Sequence, residues 1–295
     1  MTATEGNGIG WSRAIFSEIA GMSAFDLALR LTLLDLLLRP VGGWTVRPFT
    51  MAFAAAGLLV PGLLRSPFIW FSLAYFTAAR VLLDWPLPDN HAYLLFYWCL
   101  AIFIATISRD TGRRLSFNGR MMIGLAFAFS VLWKVFLSGD FMDGRFFRIA
   151  MLTDHRFEWF THLAGGLTAV EFENLKWFVS QHVDGQMPFS GSEIPAQPAR
   201  FILVSQILTY WTVLVESAVA LLFLIPGERG LSRFRDFFLV LFCVTTYSVA
   251  TVEGFGWLLI AMGVSQCGDG RKGVRFLYIA AFFLIIFYKF AGKMW

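Results

Sequence analysis

The chain has 295 residues, of which 57% are hydrophobic and 15% charged, and its mean hydropathy is +0.64. A water-soluble domain must cover its surface with polar side chains, and this composition holds too few, so a soluble globular domain is excluded on this reading and helices in a membrane are expected. The net charge of +4 sits in short basic loops, as the positive-inside rule produces, and carries no expectation of a nucleic-acid partner.

In chain order, the first twenty residues carry Glu5 and Glu18 and no basic-then-apolar block. No cleavable signal peptide is expected. A helical span needs roughly 20 apolar residues. Candidate spans run over 22–38, 47–64, 67–85, 91–108, 121–138, 200–226, 236–251, 255–267 and 274–291. The seventh and eighth are short, and Gly254 and Gly256 between them break helical continuity. They read as two tilted helices or as one re-entrant pair. The fold class expected is therefore all-α, a polytopic helical membrane bundle of about eight or nine spans.

The first span carries Asp26, Arg30 and Asp35. Asp26 and Arg30 are four apart and can pair on one helix face, so that helix should pack against protein. Basic residues cluster in three loops: Arg109, Arg113, Arg114 and Arg120; Arg229, Arg233 and Arg235; Arg271, Lys272 and Arg275. All three fall on one side, assigned as cytoplasmic. The N-terminus is then cytoplasmic and the C-terminus external; Arg39 and Arg47 fall outside, against the rule. Residues 139–199 form an external insertion with aromatic residues (Phe157, Trp159, Phe160, Trp177, Phe178) among acids. One or two helices on the external face are expected there, closed by a Pro/Gly/Ser turn region over 185–200. No internal repeat is evident, and residues 1–295 count as one integral domain. Cys99, Cys243 and Cys267 are widely spaced, which supports neither a disulfide framework nor a zinc site; no metal is expected.

This topology gathers His91, His155, His162 and His182 on the external side, with Lys134 four residues inside the external end of the fifth span. Desolvation disfavours an ammonium, so a lysine partly out of water can serve as a base. His91 can stabilise an oxyanion, Asn90 offers a donor and an acceptor, and apolar walls suit a lipid-soluble substrate. Each residue has a second reading. Lys134 can snorkel to the interface. His91 follows Asp89 and Asn90, which suit a helix start. His155, His162 and His182 lack metal-ligand spacing and read as loop residues. Glu216, deep in the sixth span, reads either as a functional carboxylate handling substrate or protons, or as a structural hydrogen-bonding group.

Four stretches carry a resemblance: LALRLTLLDLLLRP at 27–40, DNHAYL at 89–94, FSVLWKVFLSGDFMDG at 129–144 and VESAVALLFLIPGERG at 215–230 with the Cys243 to Cys267 region after it. They are similar to the vitamin K-dependent gamma-carboxylase superfamily, and in particular to the bacterial HTTM (horizontally transferred transmembrane) proteins. DNHAYL looks like the family's Asn-His-x-Tyr-Leu motif. The resemblance implies an enzyme of the bacterial cytoplasmic membrane in which Lys134 deprotonates a reduced, vitamin K-like quinone. His91 is then a second catalytic residue, and Asn90 and Tyr93 are substrate-binding partners. Three features depart from the family. The external domain that binds the protein substrate in the full carboxylases has no counterpart. The seventh helix holds Val244-Thr245-Thr246-Tyr247 where the family often has a His upstream of a Gly. The spacing from Lys134 to Gly144 is longer than in the family. A partner protein, or a secreted peptide brought for maturation, is therefore expected besides membrane lipid. The alternative is a non-catalytic scaffold or accessory subunit for peptide-toxin maturation or export; a transporter using Asp26, Arg30 and Glu216 ranks last, with no inverted repeat behind it.

Overall fold

A computed structural model describes residues 18, 21–86, 89–183, 197–227, 230–250, 252–268 and 270–291. Every regular element among them is helical, so the chain is all-α. The twelve helices described are α1 (Ala24–Leu38), α2 (Arg47–Leu59), α3 (Pro67–Leu83), α4 (Asn90–Thr106), α5 (Thr111–Leu132), α6 (Arg145–Thr153), α7 (Glu158–Ala164), α8 (Ala169–Val183), α9 (Ala199–Leu224), α10 (Arg235–Val249), α11 (Glu253–Ser265) and α12 (Lys272–Ala291). Among the described residues, two helices are long and apolar enough to cross a membrane: α5 with its continuation, Thr111–Leu137, and α9. α3, α4 and α11 are apolar but shorter.

Local chemistry sets several boundaries. The Ser23 hydroxyl accepts the Asp26 N–H at 3.0 Å and caps α1. Pro67 opens α3, where its missing N–H costs nothing. α5 begins at Thr111, ten residues ahead of the expected span, because the Asp110 carboxylate accepts the Arg113 N–H at 3.3 Å. Arg113, Arg114 and Arg120 therefore lie on a helix and not in a loop. Counting apolar residues had detected only the lipophilic part of that helix. At its other end α5 widens into a π-helical turn, Trp133–Leu137, closed by the Ser138 N–H on the Trp133 carbonyl at 2.8 Å.

The chain forms two compact units. The first comprises Met1–Ile123 and Gly254–Phe282. Its α11 is buried on every side from Gly254 to Ser265 except at Phe255, so this helix is apolar all round and not amphipathic. The buried indoles all find acceptors: Trp70 donates to the Leu64 carbonyl at 2.8 Å, Trp98 to Thr32 Oγ1 at 2.9 Å, and Trp257 to the Phe282 carbonyl at 3.1 Å. The expected Asp26–Arg30 pair is replaced. Asp26 is held by Arg65 through two contacts of 2.6 and 2.7 Å, because the 3-10 turn Pro61–Leu63 swings the next segment back over the start of α1.

The second unit comprises Gly124–Glu253 and Phe283–Trp295. Here α5 and α9 run antiparallel. A Cβ on Gly124 would lie 2.8 Å from the Leu224 side chain, and one on Gly144 would lie 3.3 Å from Ser205 Oγ. The described residues of the insertion form three helices, α6 to α8, where one or two were expected. They share a core of Phe147, Met151, Phe157, Phe172 and Leu175 with Phe201 and Leu208 of α9. The Thr161 hydroxyl, fully buried, ties α7 to the Met151 carbonyl at 2.9 Å. Thr168 and Glu171 form a reciprocal cap at the start of α8. Gly144, at φ +80°, supplies the left-handed turn into α6 that a side chain would strain. Most of the turn region expected over 185–200 lies outside the described residues.

Candidate functional site

Lys134 and Glu216 come together in the second unit although 82 residues separate them. Lys134 sits in the π-helical turn that ends α5, and Glu216 two-thirds of the way along α9. The Lys134 ammonium donates to both carboxylate oxygens of Glu216, at 2.5 Å to Oε2, and to Ser130 Oγ at 2.8 Å. The two side chains are 17% and 7% exposed, so this is an interior pair and not a surface bridge. The ring of Phe141, itself buried, lies 5.4 Å from the ammonium. Tyr247 on α10, also buried, is within electrostatic reach of Glu216.

The π-turn has a geometric consequence. It adds a residue to the helical repeat and turns the end of α5 so that Lys134 faces α9 while Trp133 and Phe136, on either side of it, remain 62% and 75% exposed. Such widened turns are rare and fall frequently at functional sites. The ammonium is thus directed to a carboxylate on the neighbouring helix. Three donors and a two-oxygen acceptor in apolar surroundings can bind a hydroxyl or carbonyl of a ligand, or relay a proton.

The other expected site residues lie in the first unit. Asn90 opens α4 and is exposed; Asp89 stands at the N-cap with no side-chain capping bond. His91 is half-buried, its ring stacked on Phe255 at 4.7 Å with planes 13° apart. Tyr93 follows on the first turn, also half-buried. Close by in this unit, Arg39 pairs with buried Asp35 at 3.4 Å, and its guanidinium lies against Gly254, where a Cβ would collide with it. Among the other histidines, His155 is exposed beside Asp154 and His162 packs on Phe172 at 4.7 Å.

Sequence reasoning named Lys134 and Glu216 but did not pair them, and it passed over Ser130, Phe141 and Tyr247. One signal was present. Ser130 and Lys134 are four apart in an apolar run, and Lys134 and Glu216 are the lone charges within the apolar stretches 121–138 and 201–226 on either side of the insertion. Comparison with known proteins finds no matching family model, no matching curated protein and no matching solved structure.

Proposed function

We propose that this chain is a multi-pass protein of the bacterial cytoplasmic membrane, with its N-terminus cytoplasmic, and that Lys134 and Glu216 form the base of a carboxylase-like site for a membrane-soluble reduced quinone. The observation that carries the reading is the interior Lys134–Glu216 pair joining two helices long enough to cross a membrane. An intramembrane ion pair is expensive and is commonly functional. The multi-pass reading is supported by helices at all nine expected spans. It is also supported by stripes of exposed apolar residues at helical spacing, such as Leu125, Phe129, Leu132 and Phe136 on α5. The site part of the reading rests on the second unit alone.

The residues present suit such a ligand. Trp133 and Phe136, exposed on either side of Lys134, offer an apolar approach. Lys134 and Ser130 provide groups that can exchange hydrogen bonds with a phenolic oxygen. When bound, a reduced quinone would supply an acidic O–H and two electrons. Lys134 can pass an ammonium proton to Glu216 along their existing hydrogen bond, leaving a neutral amine to take the next one. Glu216 orients the amine and holds the transferred proton. Tyr247 and Phe141 exclude water, which strengthens each of these interactions. A partner protein or a secreted peptide would present the group to be modified.

A second reading has its own observation. The pair is closed, with the ammonium spread across both carboxylate oxygens, and it can serve purely to lock α5 to α9 in a non-catalytic scaffold for peptide maturation. Reduced-quinone turnover by purified protein in lipid separates the two. Turnover by wild type that is lost in Lys134→Ala and in Glu216→Gln supports the enzyme. No turnover across several quinones, with both variants folded, overturns it in favour of the scaffold.

A further inference from the structure

The insertion between α5 and α9 carries a second surface. On the outside of its core, Phe146 and Ile149 of α6, Trp159 and Leu163 of α7, and Val170 and Trp177 of α8 are exposed by 41% to 70%. Such a concentration of large apolar side chains on three short helices needs a cover. The geometry of α9 points to what that cover is.

α9 has two faces at the same level. Phe201, Ser205 and Leu208 are buried on the insertion side, while Leu203, Ile207 and Tyr210, on the same turns, are more than half exposed. That exposed stripe continues through Leu214 to Leu221. From Leu203 to the end of α9 at Leu224 the helix rises about 31 Å, close to the ~30 Å of a bilayer's hydrocarbon. The partner helix is shorter in its apolar part. Arg120 precedes residues 121–137, which rise only about 24 Å. Gly124 lies against Leu224, so the two helices share a level there. From that level α5 rises about 20 Å to Leu137, so it ends about 12 Å below Leu203 at the top of the α9 stripe. The space above it is filled by the insertion core, from Phe141 onward.

We infer that α6, α7 and α8 lie within the outer interface of the bilayer, with Trp159, Leu163, Val170 and Trp177 set against lipid. The insertion is then a monotopic cap that completes the apolar thickness α5 lacks. It closes the water side of the Lys134–Glu216 pair and leaves the side bearing Trp133 and Phe136 to the membrane. Its polar residues suit an interface and not the hydrocarbon centre: Glu173 and Asn174 lie between Val170 and Trp177, and His162 lies beside Leu163. The insertion is not strongly basic, so the occupant is the apolar boundary of the bilayer and not a specific anionic headgroup. This inference rests on the membrane reading above.

The test is spin-label accessibility in phosphatidylcholine proteoliposomes. Nitroxides are attached at Leu163→Cys, Trp177→Cys and, as the span reference, Leu214→Cys. All three positions are exposed, and the native Cys99, Cys243 and Cys267 are buried and spared by the label. The expected result is collision with oxygen exceeding collision with a water-soluble nickel chelate at all three sites, by severalfold more at Leu214 than in the cap. Chelate-dominated collisions at positions 163 and 177, with Leu214 still oxygen-dominated, would overturn the cap proposal and make this face a docking surface for a protein. Chelate-dominated collisions at Leu214 as well would overturn the membrane reading itself.

Discussion

In the first unit Asp26 meets Arg65 across a turn, with side chains 21% and 64% exposed; in the second Lys134 meets Glu216 between helices, at 17% and 7%. Both pairs are two-pronged, and both link residues far apart in the chain. Their energetics should differ by several-fold. Where water can solvate either partner alone, losing the other matters little. Where it cannot, the survivor is left as an unpaired charge in apolar surroundings. Burial, and not the presence of an ion pair, decides how much each contact matters.

The largest effect should follow Glu216→Leu. Lys134 loses its partner in apolar surroundings, and unfolding in detergent should register a loss of about 3–5 kcal/mol. The double variant Lys134→Met with Glu216→Leu should recover most of that stability, because two apolar side chains replace two paired charges, yet it should remain without quinone turnover. Recovery of both would identify the pair as purely structural.

A smaller effect is expected in the first unit from Gly254→Ala. The added Cβ would fall on the Arg39 guanidinium, forcing it away from Asp35. The loss should be about 1–3 kcal/mol, the usual range for overpacking. An unchanged midpoint would show that Arg39 swings aside freely and that the Asp35–Arg39 contact is dispensable.

Asp26→Asn should cost about 0–1 kcal/mol and less in high salt, because solvent screens this pair. A loss as large as that for Glu216→Leu would break the contrast on which these expectations rest.

The smallest effect concerns pH and the cap. The Thr168 backbone N–H, and after it the hydroxyl, hold the Glu171 carboxyl below its ordinary value of 4.5. A carboxylate favoured in the folded state stabilises above the unfolded value and loses that contribution as pH falls through the lower folded one. Amide exchange in the first turn of α8 should therefore accelerate as pH drops below about 4.5, after correction for intrinsic rates. In Thr168→Ala that acid dependence should flatten.

Much of the fold was legible because apolar run length is a property of the chain. A helix stands at each of the nine expected apolar stretches, most within a few residues at each end, and two of these helices are long and apolar enough to cross a membrane. The start of α5 was missed because its first two turns are polar and held by Asp110, a signal that apolar counting ignores. The insertion was recognised as structured from its aromatics, but its division into three helices depends on Gly144, Asp154 and Thr168, each acting through local hydrogen bonds or backbone angle.

The candidate site was legible residue by residue. A lysine and a carboxylate inside apolar runs stand out because an unpaired charge there is costly. Their partnership was not. Asp26 had a cation four residues away and took Arg65 from beyond a turn; Lys134 had Ser130 four residues away and also took Glu216 from another helix. The sequence by itself determined that the chain is helical, where its helices run, and which polar groups are misfits in apolar surroundings, since these follow from composition over one or a few turns. Tertiary structure alone decided which misfit satisfies which. That choice depends on helix register, on the π-turn that aims Lys134, and on the fold-back that carries Arg65 to Asp26, none of which is a property of neighbouring residues.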